Sequence, residues 1–351
     1  MVRNSNIELL RIICMLMIII HHSFVHGVFN AYESIGMINQ SAIDLKIVRF
    51  INPFCYCAVN VFVLISGYFG IRLKITNLTN LYIRCAVYGL LCYCVHLYLH
   101  GGSLGRWGIM HNCILAFTES RWFIISYLML LLLSPILNKC IENINKQTFI
   151  WIIILLSVIN IYFGWYRELV NPNGYNFMQF IFLYLIGRFI HLYNITISRW
   201  KSLIIYITCS VILGLLAVLL DCHSFSYKLF EEKYNNPILI LEAIALLYFF
   251  LSFEFKSKFV NWIAKSVISV YLIHENKYIG RPVLINYFVT DWFEWGWERW
   301  LHLFITALFV LFGCLLIDKL LTVIFKPLSY LMNIIGNKVV CFINQNIRKI
   351  S

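Results

Sequence analysis

Apolar runs of about 17–25 residues, the length that crosses a hydrocarbon core of roughly 30 Å, recur along this sequence from one end to the other. Nothing else in the chain constrains its fold as strongly. In lipid the backbone must satisfy its own hydrogen bonds, so such runs are either helices or strands of a closed barrel. Runs this long and this continuously apolar are helices. Of the 351 residues, 61% are hydrophobic and only 13% charged, about half the charged share of a soluble domain. The expected fold is therefore all-α, a polytopic integral membrane protein.

Ten spanning segments are predicted, at 7–26, 50–71, 81–100, 121–139, 148–166, 176–194, 202–220, 236–254, 262–280 and 300–324. The ninth carries Lys265, His274 and Glu275, so its apolar signal is the weakest. The first run lacks a small-residue cleavage site and reads as a retained helix. No linker or inserted soluble domain divides the sequence, which reads as a single domain over 1–351 without a clear internal repeat. An even number of crossings puts both termini on one side. With the N-terminus inside, the inner segments hold 17 Lys and Arg and the outer ones 10, so the positive-inside rule places both termini in the cytoplasm. The segment 221–235 is then expected outside.

The net charge of +12 fits this orienting role, and no nucleic-acid partner is implied. The partner that the composition does imply is the lipid bilayer of a cell membrane. Twelve cysteines are present without one CxxC pair, and most lie inside apolar runs, for example Cys14, Cys85, Cys209 and Cys314. They read as small apolar side chains, and neither a disulfide framework nor a metal site is indicated.

The first run, "NSNIELLRIICMLMIIIHHSFVHG" from Asn4 to Gly27, keeps ionisable groups where leucine would be easier to bury. Arg11 and His22 are eleven residues apart, which at about 100° per residue returns to within roughly 20° of one face, about 16 Å further along. Glu8 lies one turn below Arg11, at i,i+3 spacing for an ion pair, and His26 one turn above His22. The helix thus carries a polar line. Glu8 and Arg11 also read as a structural pair that snorkels to the interface, and His21 and His26 as interfacial residues without a role. His22 is the stronger candidate, because an intramembrane ionisable group is a functional-site hypothesis by default and imidazole takes a proton near pH 7.

Arg-x10-His in a first helix opening "IELLR" resembles the acyltransferase-3 family, membrane O-acyltransferases that modify surface glycans. "VNVFVLISGYFG" (Val59–Gly70) resembles the family's second-helix segment, with Ser66, Gly67, Tyr68 and Phe69 as its Ser-Gly-aromatic motif. "RWFIISYLMLLLLSPILNKCI" (Arg121–Ile141), "FIFLYLIGRFI" (Phe180–Ile190) and "SVISVYLIH" (Ser266–His274) resemble later helices, and the likeness covers about 5–330. One departure is clear. Some members carry two arginines three apart at the start of the third helix, and here Leu81 precedes Arg84.

The resemblance implies that an acyl group, acetyl being the family's commonest, passes from cytoplasmic acyl-coenzyme A to a sugar hydroxyl of a cell-surface polysaccharide or its lipid-linked precursor. Acyl-coenzyme A is then a co-substrate, and no permanently bound cofactor is expected. Its phosphates would meet Arg72, Lys74 and Arg84 at the inner surface, with Arg11 at the same level. Ser66 and Gly67 either leave room for a thin ligand arm or let helices approach closely. His22 would be the general base. Trp122 either stacks on a sugar or anchors the helix at the interface, and Glu242 is either an acceptor-site group or a structural partner. Two other classes stay open from residues alone. A transporter or flippase of glycans or small solutes would also carry a polar helix line, and a membrane-embedded sensor or scaffold would need no His22.

Overall fold

The computed structural model describes residues 4–36, 42–117, 122–220, 233–282, 292–293 and 296–347. Among them every regular element is helical. In chain order these are α1 (Ser5–Ser34), α2 (Ile43–Phe69), α3 (Ile75–His100), a short helix made of Arg106–Ile109 and Met110–Ile114, α4 (Trp122–Glu142) and α5 (Lys146–Tyr166). They are followed by α6 (Phe177–Leu192), α7 (Arg199–Leu219), α8 (Pro237–Leu251), α9 (Lys258–Ala264), α10 (Val267–His274) and α11 (Arg299–Ile347).

Seven of these helices are long and apolar enough to cross a membrane: α1 to α5, α7 and α11 over 299–338. They cover seven of the ten expected segments. Two more, 176–194 and 236–254, fall on the shorter apolar helices α6 and α8, of 16 and 15 residues. The ninth, 262–280, is not one helix. It breaks at Lys265 and Ser266 between α9 and α10. At the break the Ser266 hydroxyl hydrogen-bonds Asp318 on α11, and Lys265 lines a cavity. Most of the segment 221–235, and Arg121, lie outside the described residues.

The helix ends follow the local sequence. Asn236 caps α8 by accepting from the Ile238 N–H at 2.9 Å, with Pro237 at the first helical position, where no N–H is needed. Asn176 caps α6 the same way. Ser257 caps α9 by accepting from Val260 N–H.

α1 is the central helix, packed against α2, α8, α9, α10 and α11. Its N-terminal end is fastened by side chains that a lipid-facing helix would not carry. Asn6 Nδ2 donates to the Phe250 and Phe253 carbonyls, both at 2.7 Å, satisfying the C-terminal end of α8. The Ser257 N–H donates to Ser5 Oγ. Past His22 the helix widens into a π-helical stretch, Ser23–Phe29. Beyond it Asp44, almost fully buried, accepts from Tyr32 Oη at 2.7 Å and pairs with Arg299, tying α1, α2 and α11 together.

α2 and α6 cross through glycine on both sides. A Cβ on Gly67 would stand 2.2 Å from the Tyr184 carbonyl oxygen, and one on Gly187 would stand 2.4 Å from that of Leu64. Backbone meets backbone, so only glycine fits at either position. Ten of the cysteines among the described residues are free thiols. Most of them are buried in the packed bundle, as the apolar reading requires.

Candidate active site

A cavity of about 480 Å³ runs alongside α1, bounded by α2, α3, α4 and the broken pair α9–α10. Helical periodicity brings Arg11 and His22 onto its wall from one helix, and the same cavity takes in Ser66 from α2, Arg84 from α3 and Trp122 from α4. Five residues singled out in sequence therefore meet in one space.

The end beside the N-terminal part of α1 is cationic. Arg11 lies there with Nη1 4.0 Å from Glu8 Oε2, and it is joined by Arg84 and by Lys265 from the α9–α10 break. Arg84 is already engaged: its Nη1 donates to Asp318 and Ser269, and its guanidinium lies 5.0 Å from the Phe325 ring centroid. Asp318 also accepts from Tyr88 at 2.6 Å and from Ser266. A buried carboxylate with this many donors holds α3, α10 and α11 together. Arg84 thus has a structural partner and also lines the cavity.

The other end is a histidine and carboxylate cluster. His274 Nδ1 is 2.7 Å from the Val270 carbonyl oxygen, which can only accept, so Nδ1 carries the proton and Nε2 of the neutral ring is an acceptor. His22 Nδ1 lies 3.0 Å from that Nε2 and must be the donor. The His22 tautomer follows: Nδ1–H is committed, and Nε2 keeps its lone pair. Glu275 Oε1 stands 3.8 Å from His22 Nε2 and 3.5 Å from His26 Nε2. Arg281 Nε donates to both oxygens of Glu275, at 2.9 and 2.7 Å, and fixes the carboxylate. A base whose second nitrogen is held by a third group is the arrangement that activates a hydroxyl for attack on a carbonyl.

The neighbouring His21 is buried, and its Nδ1 donates to Asn52 Oδ1 at 2.8 Å where α2 is interrupted before Pro53. His21 and His26 both border the cavity. Trp122 is packed into a cluster with Tyr175 and Tyr234, at ring-centroid distances of 4.7 and 5.3 Å. Tyr234 stacks on Tyr56 at 4.5 Å, and its carbonyl accepts from Asn60 and Gln179, both at 2.8 Å. One aromatic wall near His22 is thereby held rigid.

Other expected site residues lie elsewhere. Arg72 and Lys74 are exposed in the turn between α2 and α3, off the cavity wall. Gly67 faces α6, as its contact with Tyr184 requires. Glu242 is fully buried between α7 and α8, accepting from Ser210 Oγ at 2.7 Å. Glu8 is buried behind Arg11. Sequence reading did not assign Lys265, His274, Glu275 or Arg281 to the site. The weakness of the ninth apolar run was one trace, since three of the four are the groups that interrupt it, and His274 also closes the stretch Ser266–His274 that resembles a family helix.

A helical membrane bundle with hydrogen-bonded histidines and cations lining one cavity has parts that an acyl-transfer enzyme can use. The family model described as an acyltransferase domain matches residues 4–319, and the chain belongs to that family, acyltransferase-3. It is an acyltransferase. No curated protein and no solved structure matches the chain significantly.

Proposed function

We propose that the protein transfers an acyl group, acetyl in the first instance, from acyl-coenzyme A to a sugar hydroxyl of a cell-surface polysaccharide or its lipid-linked precursor. The observation that carries this reading is the shared cavity, with cations at one end and a tautomer-fixed histidine at the other. Coenzyme A is anionic at its nucleotide end, and Arg11, Arg84 and Lys265 form the cationic end. The acceptor hydroxyl approaches His22 Nε2, beside the aromatic wall of Trp122.

His22 Nε2 takes the hydroxyl proton as the sugar oxygen attacks the thioester carbonyl carbon. The C–S bond breaks, and the same proton passes to the departing thiolate. The products are the sugar ester and free coenzyme A, and His22 is returned neutral. Glu275 steadies the imidazolium between those two steps, and His274 keeps the ring in the productive tautomer. With both termini cytoplasmic, and the shorter helices α6 and α8 and the pair α9–α10 completing ten crossings of the cell membrane, the donor enters from the cytoplasm and the acceptor from the far side.

The test is acyl transfer by the purified full-length protein in lipid, supplied with radiolabelled acetyl-coenzyme A and glycan, alongside the surface glycan of a deletion strain analysed by mass spectrometry and NMR. Loss of one ester per repeat on deletion supports the reading. Unchanged glycans together with no release of coenzyme A would sink it.

A further inference from the structure

We propose that His22, His26 and Glu275 form a binding site for a divalent transition-metal ion of the zinc type, and that its occupancy silences acyl transfer. Their donor atoms all lie within 4.8 Å of one another. Glu275 Oε1 is 3.5 Å from His26 Nε2 and 3.8 Å from His22 Nε2. Ligand atoms about 2.0–2.1 Å from a tetrahedral ion stand roughly 3.3–3.4 Å apart, so a small inward shift of side chains closes the site.

Three features set this cluster apart from a chance grouping. The two histidines are four residues apart on one helix face, a spacing that presents two imidazoles to one ion. The supporting contacts of a metal site are also in place, since metal-bound histidines donate their other N–H and bound carboxylates are themselves hydrogen-bonded. His22 Nδ1–H is committed to His274, and Arg281 holds Glu275. A carboxylate has about four lone-pair directions, so Glu275 can keep its guanidinium and still reach an ion. Lastly, two histidines and one glutamate leave a fourth position open, and the cavity lies beside it.

Neutral imidazole and carboxylate donors suit zinc over magnesium or calcium, which prefer all-oxygen shells. The ion takes the Nε2 lone pair of His22. That lone pair is the one the hydroxyl proton needs, so a bound ion and base catalysis exclude each other. The silencing rests on the reading of His22 as the base, whereas the binding does not.

The experiment is a titration of the full-length protein in lipid nanodiscs with zinc by calorimetry and with cobalt by visible absorption, alongside acyl transfer across the same zinc range. The variant is His26→Gln, which removes one ligand and leaves His22, His274 and the cationic end intact. A control variant, His96→Ala with His100→Ala, removes the histidine pair at the end of α3, away from the cavity wall, whose rings are 4.3 Å apart. The expected result is one zinc per chain in the wild type and in the His96/His100 variant, with tetrahedral cobalt absorption. His26→Gln should weaken zinc at least about tenfold, keep its transfer rate without metal, and need correspondingly more zinc for inhibition. Zinc binding that His26→Gln leaves unchanged overturns the site. Binding that depends on His26 without inhibition overturns the silencing. A wild type inactive in the absence of metal would count against the base, while the cobalt spectrum still decides the site.

Discussion

His22 Nδ1 and His274 Nε2 are 3.0 Å apart although 252 residues separate them in sequence. The contact is asymmetric, because His274 spends its own Nδ1–H on the Val270 carbonyl. His274 therefore fixes the His22 tautomer, and under the proposed function it acts on the base through that contact. Replacing His22 with Ala should lower transfer by about 10²–10⁴ while acyl-coenzyme A still binds. Replacing His274 with Ala should lower kcat by up to about a hundredfold, the effect of a misplaced catalytic group, with little change in the donor KM. His274→Gln restores an acceptor and should recover part of the rate. Steady-state kinetics at equal membrane expression decide it: a His274→Ala enzyme with unchanged kcat would remove the dyad from catalysis.

The adjacent His21 is the matched comparison. Its Nδ1 is occupied by Asn52, and it sits about 100° round the helix from His22. Loss of that buried hydrogen bond should destabilise the fold by about 1–3 kcal/mol and leave most activity in the protein that folds. Thermal stability and transfer measured on the same preparation separate the two effects. A stable, inactive His21→Ala protein paired with an active His22→Ala protein would put the catalytic face on His21.

Arg84 and Asp318 form a pair in which Asp318 is 2% exposed. Arg84→Ala would leave that carboxylate buried without its charge partner, at about 3–5 kcal/mol. The expected result is a sharp fall in the melting temperature of the detergent-solubilised protein, partly recovered by adding Asp318→Asn. An Arg84→Ala protein as stable as the wild type, with only its donor KM raised, would mean that the arginine serves the ligand alone.

Donor affinity should depend on the cations that line the cavity more than on those in the exposed turn. Lys265→Ala is expected to raise the KM for acyl-coenzyme A about tenfold to a hundredfold, the equivalent of one charge-assisted hydrogen bond of roughly 1.5–3 kcal/mol. Arg72→Ala with Lys74→Ala should raise it less, because neither side chain lines the cavity. Contacts far from the reacting carbonyl hold ground and transition states alike, so kcat should move little in either variant. The reverse order of KM effects would move the nucleotide end out to the turn.

Gly67→Ala brings a Cβ to 2.2 Å from a backbone oxygen, and backbone cannot step aside as a side-chain tip can. The helix crossing should open, destabilising the protein by about 3 kcal/mol or more. Gly313 on α11 has nothing within 4 Å of its Cβ position, and Gly313→Ala should be neutral or add up to about 1 kcal/mol. Equal melting temperatures for the two variants would contradict the crossing.

Helical periodicity and bilayer thickness act within one segment, and what they govern was legible in the sequence. The apolar runs defined the class, and the eleven-residue spacing put Arg11 and His22 along one helix, where both line the cavity. The resemblance in Ser66–Phe69 and Ser266–His274 pointed to the family that the chain belongs to. What tertiary structure alone decided involves pairs far apart in sequence. Arg84 finds Asp318, Gly67 finds Tyr184, and Lys265, His274 and Glu275 reach α1 from the broken ninth segment. A charge in an apolar run shows that it needs a partner, because an unpaired ion in a low dielectric is costly, but it does not show which one. That choice depends on how the helices pack around α1, and no single segment encodes it.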